Sequence, residues 1–271
     1  MPRFLAICVA CLVAPAMALA ILLSPRVAAY TATLPPWTPD HIVIAVEENH
    51  SFSQIIDGGE APFIQDLAQH GALFTRSFAL VHPSQPNYFA LFSGSTGNVI
   101  DDGDHLLDRP TLADLLKSQS RTFLGYIEEG SPRKHNPWES FHGGSSPGRR
   151  LGDFPSDFSD LPTVSFVIPN VQNDMHDGSV AAGDAWLRQH LGAYAEWSMD
   201  HNSLLVVTFD EDNGRSGNRI PTIFLGERIV PGRYDQRIDH YNVFRTILAM
   251  YGLPPLAESA FAAPITDIWR K

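Results

Sequence analysis

Residues 41–49 read HIVIAVEEN, an apolar run from Ile42 to Val46 that ends in two acids and an amide. The run is short, rich in β-branched residues and apolar at successive positions. That pattern predicts a strand buried on both faces, as in a parallel sheet, rather than one with alternating inner and outer faces. The same pattern recurs downstream. RTFLGYIEE (121–129), TVSFVIPN (163–170) and SLLVVTFDED (203–212) are apolar runs ending in polar groups, and IPTIFLG (220–226) is a fifth run. Between them lie helix-like stretches: APFIQDLAQHGA (61–72), closed by Gly71; PTLADLLKSQ (110–119), with Thr111 as a cap; GDAWLRQHLGAYAEW (183–197); and HYNVFRTILAMYG (240–252), closed by Gly252. Strands alternating with helices predict an α/β fold with a central, mostly parallel sheet flanked by helices. In such a sheet the carboxyl ends share one edge, and ligands bind there. Glu47, Glu48, Asn49, Glu128, Asn170, Asp210, Glu211 and Asp212 all follow apolar strands. Carboxylates gathered on one edge repel each other unless they splay into water or share a cation.

Composition narrows the function. The chain has 271 residues, 44% hydrophobic and 18% charged, which suits one sizeable domain. The net charge of −11, with no long basic run, argues against nucleic-acid binding, because the acidic excess repels a phosphate backbone. An anionic substrate therefore needs local cations.

The N-terminus is read as an address rather than as fold. Arg3 precedes an apolar stretch from Phe4 to Leu23, and Ala-x-Ala-like sites follow at 18–20 and 27–29. This predicts a signal peptide over residues 1–29, a catalytic domain over 30–271, and a secreted or periplasmic product with no stable membrane insertion after cleavage. A retained anchor is the competing reading. Both cysteines, Cys8 and Cys11, lie in this segment, so the mature chain would have no disulfide or thiolate chemistry.

Several clusters carry candidate chemistry. Glu48 and Asn49 in EENHSF, and Asp210 and Glu211 in TFDEDN, offer hard oxygen donors to a divalent ion. The plain alternative is strand-end acids in solvent, with Ser51 capping a helix. PNVQNDMHDG (169–178) holds Asp174 and His176, with Asp174 placed to orient the imidazole. RKHNPW (133–138), in a long loop that also carries Arg149 and Arg150, supplies Lys134 and His135 for an anion. DHYNVFRT (239–246) places His240 at a helix start. In HPSQPNY (82–88), Pro83 and Pro86 hold Ser84 at the head of an apolar helix. Ser84 can cap that helix. It can also attack phosphorus, with a metal stabilising its alkoxide and amides holding the phosphoryl oxygens. No G-x-S-x-G elbow surrounds it, which disfavours a Ser-His-Asp hydrolase.

In order, Glu48-Asn49-x-Ser51-Phe52, the 82–88 stretch with Asn87 and Tyr88, Lys134-His135-Asn136-Pro137, Pro169-Asn170-x-x-Asn173-Asp174-Met175-His176-Asp177 and Thr208-Phe209-Asp210-Glu211 resemble the bacterial phosphoesterase family. That family contains secreted acid phosphatases and phospholipases C, and belongs to the alkaline phosphatase-like superfamily. The resemblance covers roughly residues 40–268. It implies an alkaline phosphatase-like sandwich and a phosphoserine intermediate on Ser84. It further implies Glu48, Asn49, Asp210 and Glu211 as metal ligands, with Ser84 completing the shell. His135, His176 and Asp174 would serve catalysis, and Asn87, Lys134 and His240 would bind substrate. The substrate implied is a phosphate ester, either a small molecule or a lipid headgroup such as a phosphoinositide. The ion is a divalent metal, with Mg, Ca, Mn, Zn and Fe all compatible with these ligands. A phospholipase C-type phosphodiesterase is the alternative activity. A sulfatase fits less well, since Tyr88 stands where the sulfatase signature has arginine. A non-catalytic binding protein would need degraded motifs, and none is degraded.

Overall fold

The computed structural model describes Pro35 and residues 37–142 and 148–270. The expected signal peptide, both cysteines and the mature N-terminus lie outside these residues. Among the described residues, no helix is long and apolar enough to cross a membrane.

Eight strands form one sheet: β1 (His41–Glu47), β2 (Ala72–Phe78), β3 (Phe123–Ile127), β4 (Gly148–Arg150), β5 (Val164–Ile168), β6 (Ser203–Phe209), β7 (Arg219–Gly226) and β8 (Gly232–Asp239). Their order is β4-β3-β5-β1-β6-β7-β2-β8. β7 pairs antiparallel with β6 and β2, and the other neighbours are parallel. The fold is thus α/β with a mostly parallel sheet, and every strand except β7 sends its carboxyl end to the same edge.

β1 lies at the centre because both its faces are apolar. Ile42, Ile44 and Val46 enter one core and Val43 and Ala45 the other, all fully buried. The first core is covered by α3 (Ser84–Ser93), α4 (Leu112–Ser118) and α6 (His240–Met250), through Phe89, Phe92, Leu116, Phe244 and Ile247. The second is covered by α1 (Phe52–Ile56), α2 (Pro62–His70) and α5 (Val180–Ser198), through Ile55, Ile64, Leu67, Leu187 and Leu191. At ~1.5–3 kcal/mol for each large apolar side chain fully removed from water, these two layers dominate the stability.

Local signals set the helix starts. Thr111 accepts the Asp114 amide while the Asp114 carboxylate takes the Thr111 amide, a reciprocal capping box that opens α4. Asp239 caps α6, and Ser179 caps α5, which begins before the expected Gly183. Asp184 of α5 accepts the Phe63 and Ile64 amides at the head of α2, tying two helices of one layer together. The described residues of the 130–160 segment form short 3₁₀ turns and β4, with Trp138 packed against Gly125, where a Cβ would lie 2.2 Å from the indole.

Candidate active site

The site is assembled where the carboxyl ends of β1, β5 and β6 are laced by backbone hydrogen bonds. Glu48 N–H donates to the Asp174 carbonyl at 2.7 Å, and Asp210 N–H donates to the Glu47 carbonyl at 2.9 Å. Glu48, Asp174, Asp210 and Glu211 are thereby held side by side and buried. Asn49 takes a left-handed conformation (φ 47°), which turns its amide toward Asp210 Oδ1 at 3.2 Å.

Ser84 enters from β2. It is the first residue of α3, and Pro83 takes the cap position, so the Ser84 hydroxyl is free of capping duty. Its Oγ lies 3.1 Å from Glu48 Oε2 and 3.2 Å from Glu211 Oε1, within donating reach of either carboxylate. Tyr88, one turn along the same helix, donates its hydroxyl to Glu48 Oε1. Its ring stacks on His135 at 5.1 Å and 13°. His135 is buried with Nε2 3.1 Å from Glu48 Oε1 and Nδ1 3.3 Å from Asp174 Oδ2, although neither nitrogen has hydrogen-bond geometry. Among the described residues, Glu48, His135 and Asp174 are the group whose donor atoms all fall within 4.8 Å of one another.

Burial governs the proton affinities. It pushes Glu48 well above the usual carboxylate range, with Asp210 and Asp174 adding repulsion. Asp210 is raised to about 8 by burial and the Glu211 charge, and Glu211 to about 7 by burial. His135 and His240 are lowered by burial, which favours neutral imidazoles. Burial pulls Lys134 down, but the hydrogen bond and charge of Asp102 outweigh it and the net shift is upward.

A divalent cation fits this donor set. Asn49 Oδ1 and Asp210 Oδ2 are buried acceptors with no hydrogen-bond donor, while Glu211 Oε2 and Asp174 Oδ2 meet only histidine nitrogens, of His82 at 2.6 Å and His135 at 3.3 Å. Unpaired buried oxygens are costly, and several gathered at one sheet edge call for a positive partner. Glu48, Asn49, Asp210 and Glu211, with Ser84 beside them, could hold the ion through hard oxygens, and Asp174 and His135 border the same space.

Several of the expected site residues make contacts within the protein that the sequence did not show. Asn87, expected to bind substrate, spends its side chain on the chain before Ser84. Its Oδ1 accepts from Leu80 and Val81 N–H, and its Nδ2 donates to the Val81 and Pro83 carbonyls. It holds the turn that presents Ser84. His240, also expected at the substrate, is buried and puts Nε2 2.7 Å from the Asp210 carbonyl, bracing that loop. Asp174, expected to orient His176, faces the His135 ring and takes only the His176 backbone amide at 2.8 Å. The His176 imidazole is partnered instead by Asp177, 2.7 Å away, and its centroid lies 6.4 Å from that of His135. Lys134 pairs with Asp102 at 2.8 Å. Arg149 and Arg150 lie exposed on β4, one of the sheet's two outer strands. Asp212 accepts the amides of Gly214, Ser216 and Asn218 and shapes the loop into β7.

Sequence reasoning missed three residues. Tyr88 had a signal: four places after Ser84 in a helix, it shares the same face. His82, with Nδ1 2.6 Å from Glu211 Oε2 and Nε2 3.2 Å from Asp212 Oδ1, sits two residues before Ser84. Asp102 had none, being one acid in the stretch DDGD (101–104).

Known proteins resemble the chain in sequence and in fold. The chain is 46% identical to a phosphatidylinositol-3-phosphatase of Mycobacterium tuberculosis over 267 residues, covering 90% of this chain and 87% of that protein. It is 31% identical to an acid phosphatase of Aspergillus fumigatus, covering 88% of this chain but 62% of the fungal enzyme. Among solved structures, an alkaline phosphatase superfamily protein from Vibrio parahaemolyticus superposes with a TM-score of 0.62 at 16% identity, over 84% of this chain and 71% of that one. The phosphonate monoester hydrolase of Agrobacterium radiobacter gives 0.57 at 13% identity, over 86% and 79%. These two likenesses speak for the fold alone. Residues 56–254 match the Phosphoesterase family model. With strand-end carboxylates converging on a helix-borne hydroxyl, a phosphoesterase-wide sequence match and phosphatase relatives, the chain belongs to the Phosphoesterase family and is a phosphoric ester hydrolase.

Proposed function

We propose that the protein is an exported, metal-dependent phosphomonoesterase of acid-phosphatase type, acting through a phosphoserine on Ser84, with phosphoinositides as a substrate class. The observation that carries this reading is the buried Ser84 Oγ, 3.1 Å from one carboxylate and 3.2 Å from another on a different strand end. Ser84 Oγ attacks phosphorus, its proton passing to Glu48 or Glu211, and the bond from phosphorus to the ester oxygen breaks. The departing oxygen takes a proton from the histidine side of the site. There His176 is partly exposed and buried His135 lies behind it. Water then attacks phosphorus, the bond from phosphorus to Ser84 Oγ breaks, Oγ regains a proton from the attacking water, and inorganic phosphate leaves. When bound, the cation supplies charge to the Ser84 alkoxide and the phosphoryl oxygens. Lys134 adds a positive charge beside the helix start, where α3 amides favour an anion.

The phosphoinositide assignment rests on the 46% identical mycobacterial relative. Export rests on the apolar N-terminal stretch with its small-residue sites.

Ser84→Ala is expected to lose about a thousandfold in rate, ~4 kcal/mol of transition-state stabilisation. Retention of more than about a tenth of the activity would overturn the nucleophile. A panel of p-nitrophenyl phosphate, its choline ester and a 3-phosphorylated phosphoinositide separates monoesterase from phospholipase C-type diesterase. Faster turnover of the choline ester would reverse the monoester reading.

A further inference from the structure

Two donors, one of them on the residue after Ser84, are already engaged by a single anion of the chain itself. Asp102 Oδ1 accepts the backbone N–H of Gln85, the residue after Ser84, at 3.0 Å. Asp102 Oδ2 accepts Lys134 Nζ at 2.8 Å. A helix-start amide on the residue after Ser84, and an ammonium whose charge reaches Glu48 and Glu211, are donors suited to phosphoryl oxygens. Among the described residues, Asp102 is the one hydrogen-bonded partner of Lys134. The pair is reachable by water, with side chains 22% and 29% exposed, so it can open without unfolding the site.

The loop that carries Asp102 is anchored at other points. Gly103 N–H and the His105 ring both engage Asp101, Arg133 pairs with Asp104 at 3.3 Å, and Arg133 Nη2 donates to the His105 carbonyl at 2.6 Å. Asp102 can therefore leave its donors while its neighbours keep theirs.

We propose that Asp102 is a competing internal anion that sets the affinity of the site for phosphate. The substrate's phosphoryl oxygens displace it from Gln85 N–H and Lys134, and it returns as phosphate departs. This rests on the reading of Ser84 as the reacting group. The opposing possibility is that Asp102 positions Lys134 for the substrate, and the two predict changes of opposite sign.

The test uses Asp102→Asn, which keeps the shape and an acceptor oxygen, and Asp102→Ala, in the full chain supplied with divalent cation. The probes are inorganic phosphate as inhibitor and p-nitrophenyl phosphate as substrate. Removing a partly exposed competing charge is expected to lower both the phosphate Ki and KM roughly five- to tenfold, without raising kcat in proportion. In a Lys134→Ala background the same change is expected to shift Ki far less, because the contested cation is gone. Unchanged or raised Ki and KM in Asp102→Asn, in protein that melts like the parent, would overturn the proposal. Calorimetric titration of inorganic phosphate into Ser84→Ala and Ser84→Ala/Asp102→Asn reads the effect without turnover. Failure of the Ser84 assignment and failure of the Asp102 proposal thus give separate results.

Discussion

Tyr88 holds two groups of the site at once. Its hydroxyl takes one oxygen of Glu48, leaving the other turned to Ser84, and its ring fixes the plane of His135. Outer partners of this kind orient ligand carboxylates, and their loss commonly costs about ten- to hundredfold in metal affinity or activity. Tyr88→Phe keeps the stack and removes only the hydroxyl. It is expected to weaken divalent-cation binding by about tenfold or more, read by calorimetric titration of Mn²⁺. An unchanged Kd would show that Glu48 needs no such brace. At this scale the strand-end acids and Ser84 were legible, because each sits at a break between an apolar run and a turn. The hydrogen-bond partners of Asn87 and His240 were not. A side chain's hydrogen-bond partners depend on which distant loop folds over it, and Asn87 spends its amide on residues 80–83 while His240 meets residue 210.

At the scale of elements, α3 is where sequence and geometry meet most closely. The turn ahead of it is fixed by four hydrogen bonds from the Asn87 side chain, so Ser84 is aimed by the helix that carries it. Asn87→Ala strands the Leu80 and Val81 amides and is expected to cost ~1–3 kcal/mol. Urea unfolding would show the loss as a lower midpoint, with kcat falling along with it because Ser84 loses its aim. A stable variant with full kcat would refute the aiming role. Central strands were readable as unbroken apolar runs. β2, β4 and β8 were not. A bulge interrupts the β2 pattern between Phe74 and Ser77, β4 has three exposed residues, and β8 is an outer strand, GRYDQRID, in which half-buried and exposed positions alternate and Ile238 is the buried residue. Edge strands carry charge to discourage pairing with other chains, and that disguises them. The reversed direction of β7 follows from its connection: residues 210–218 contain no helix, and a short link returns the chain antiparallel to β6.

The whole molecule carries a net charge of −11 and buries several of its carboxyls at one sheet edge. That combination links pH, metal and stability. In metal-free protein, burial lifts Asp210 from 3.8 to about 8 and Glu211 from 4.5 to about 7. Native carboxyls therefore hold protons that the unfolded chain releases at ordinary carboxylate values. Their contribution favours the folded state fully below the unfolded values and is lost as pH rises through about 7 and then 8. Self-repulsion of the acidic surface adds in the same direction. A divalent cation reverses the trend, since it needs the ionised carboxylates and competes with their protons. In chelator, the melting temperature is expected to be higher near pH 5 than near pH 8. Added Mg²⁺ or Mn²⁺ is expected to restore it strongly at the higher pH and hardly at the lower. Scanning calorimetry across that window, with and without the ion, checks both halves. A melting temperature in chelator that stays level or climbs toward pH 8, with no gain from the cation there, would mean that these strand-end acids are not neutralised by protons and metal in turn.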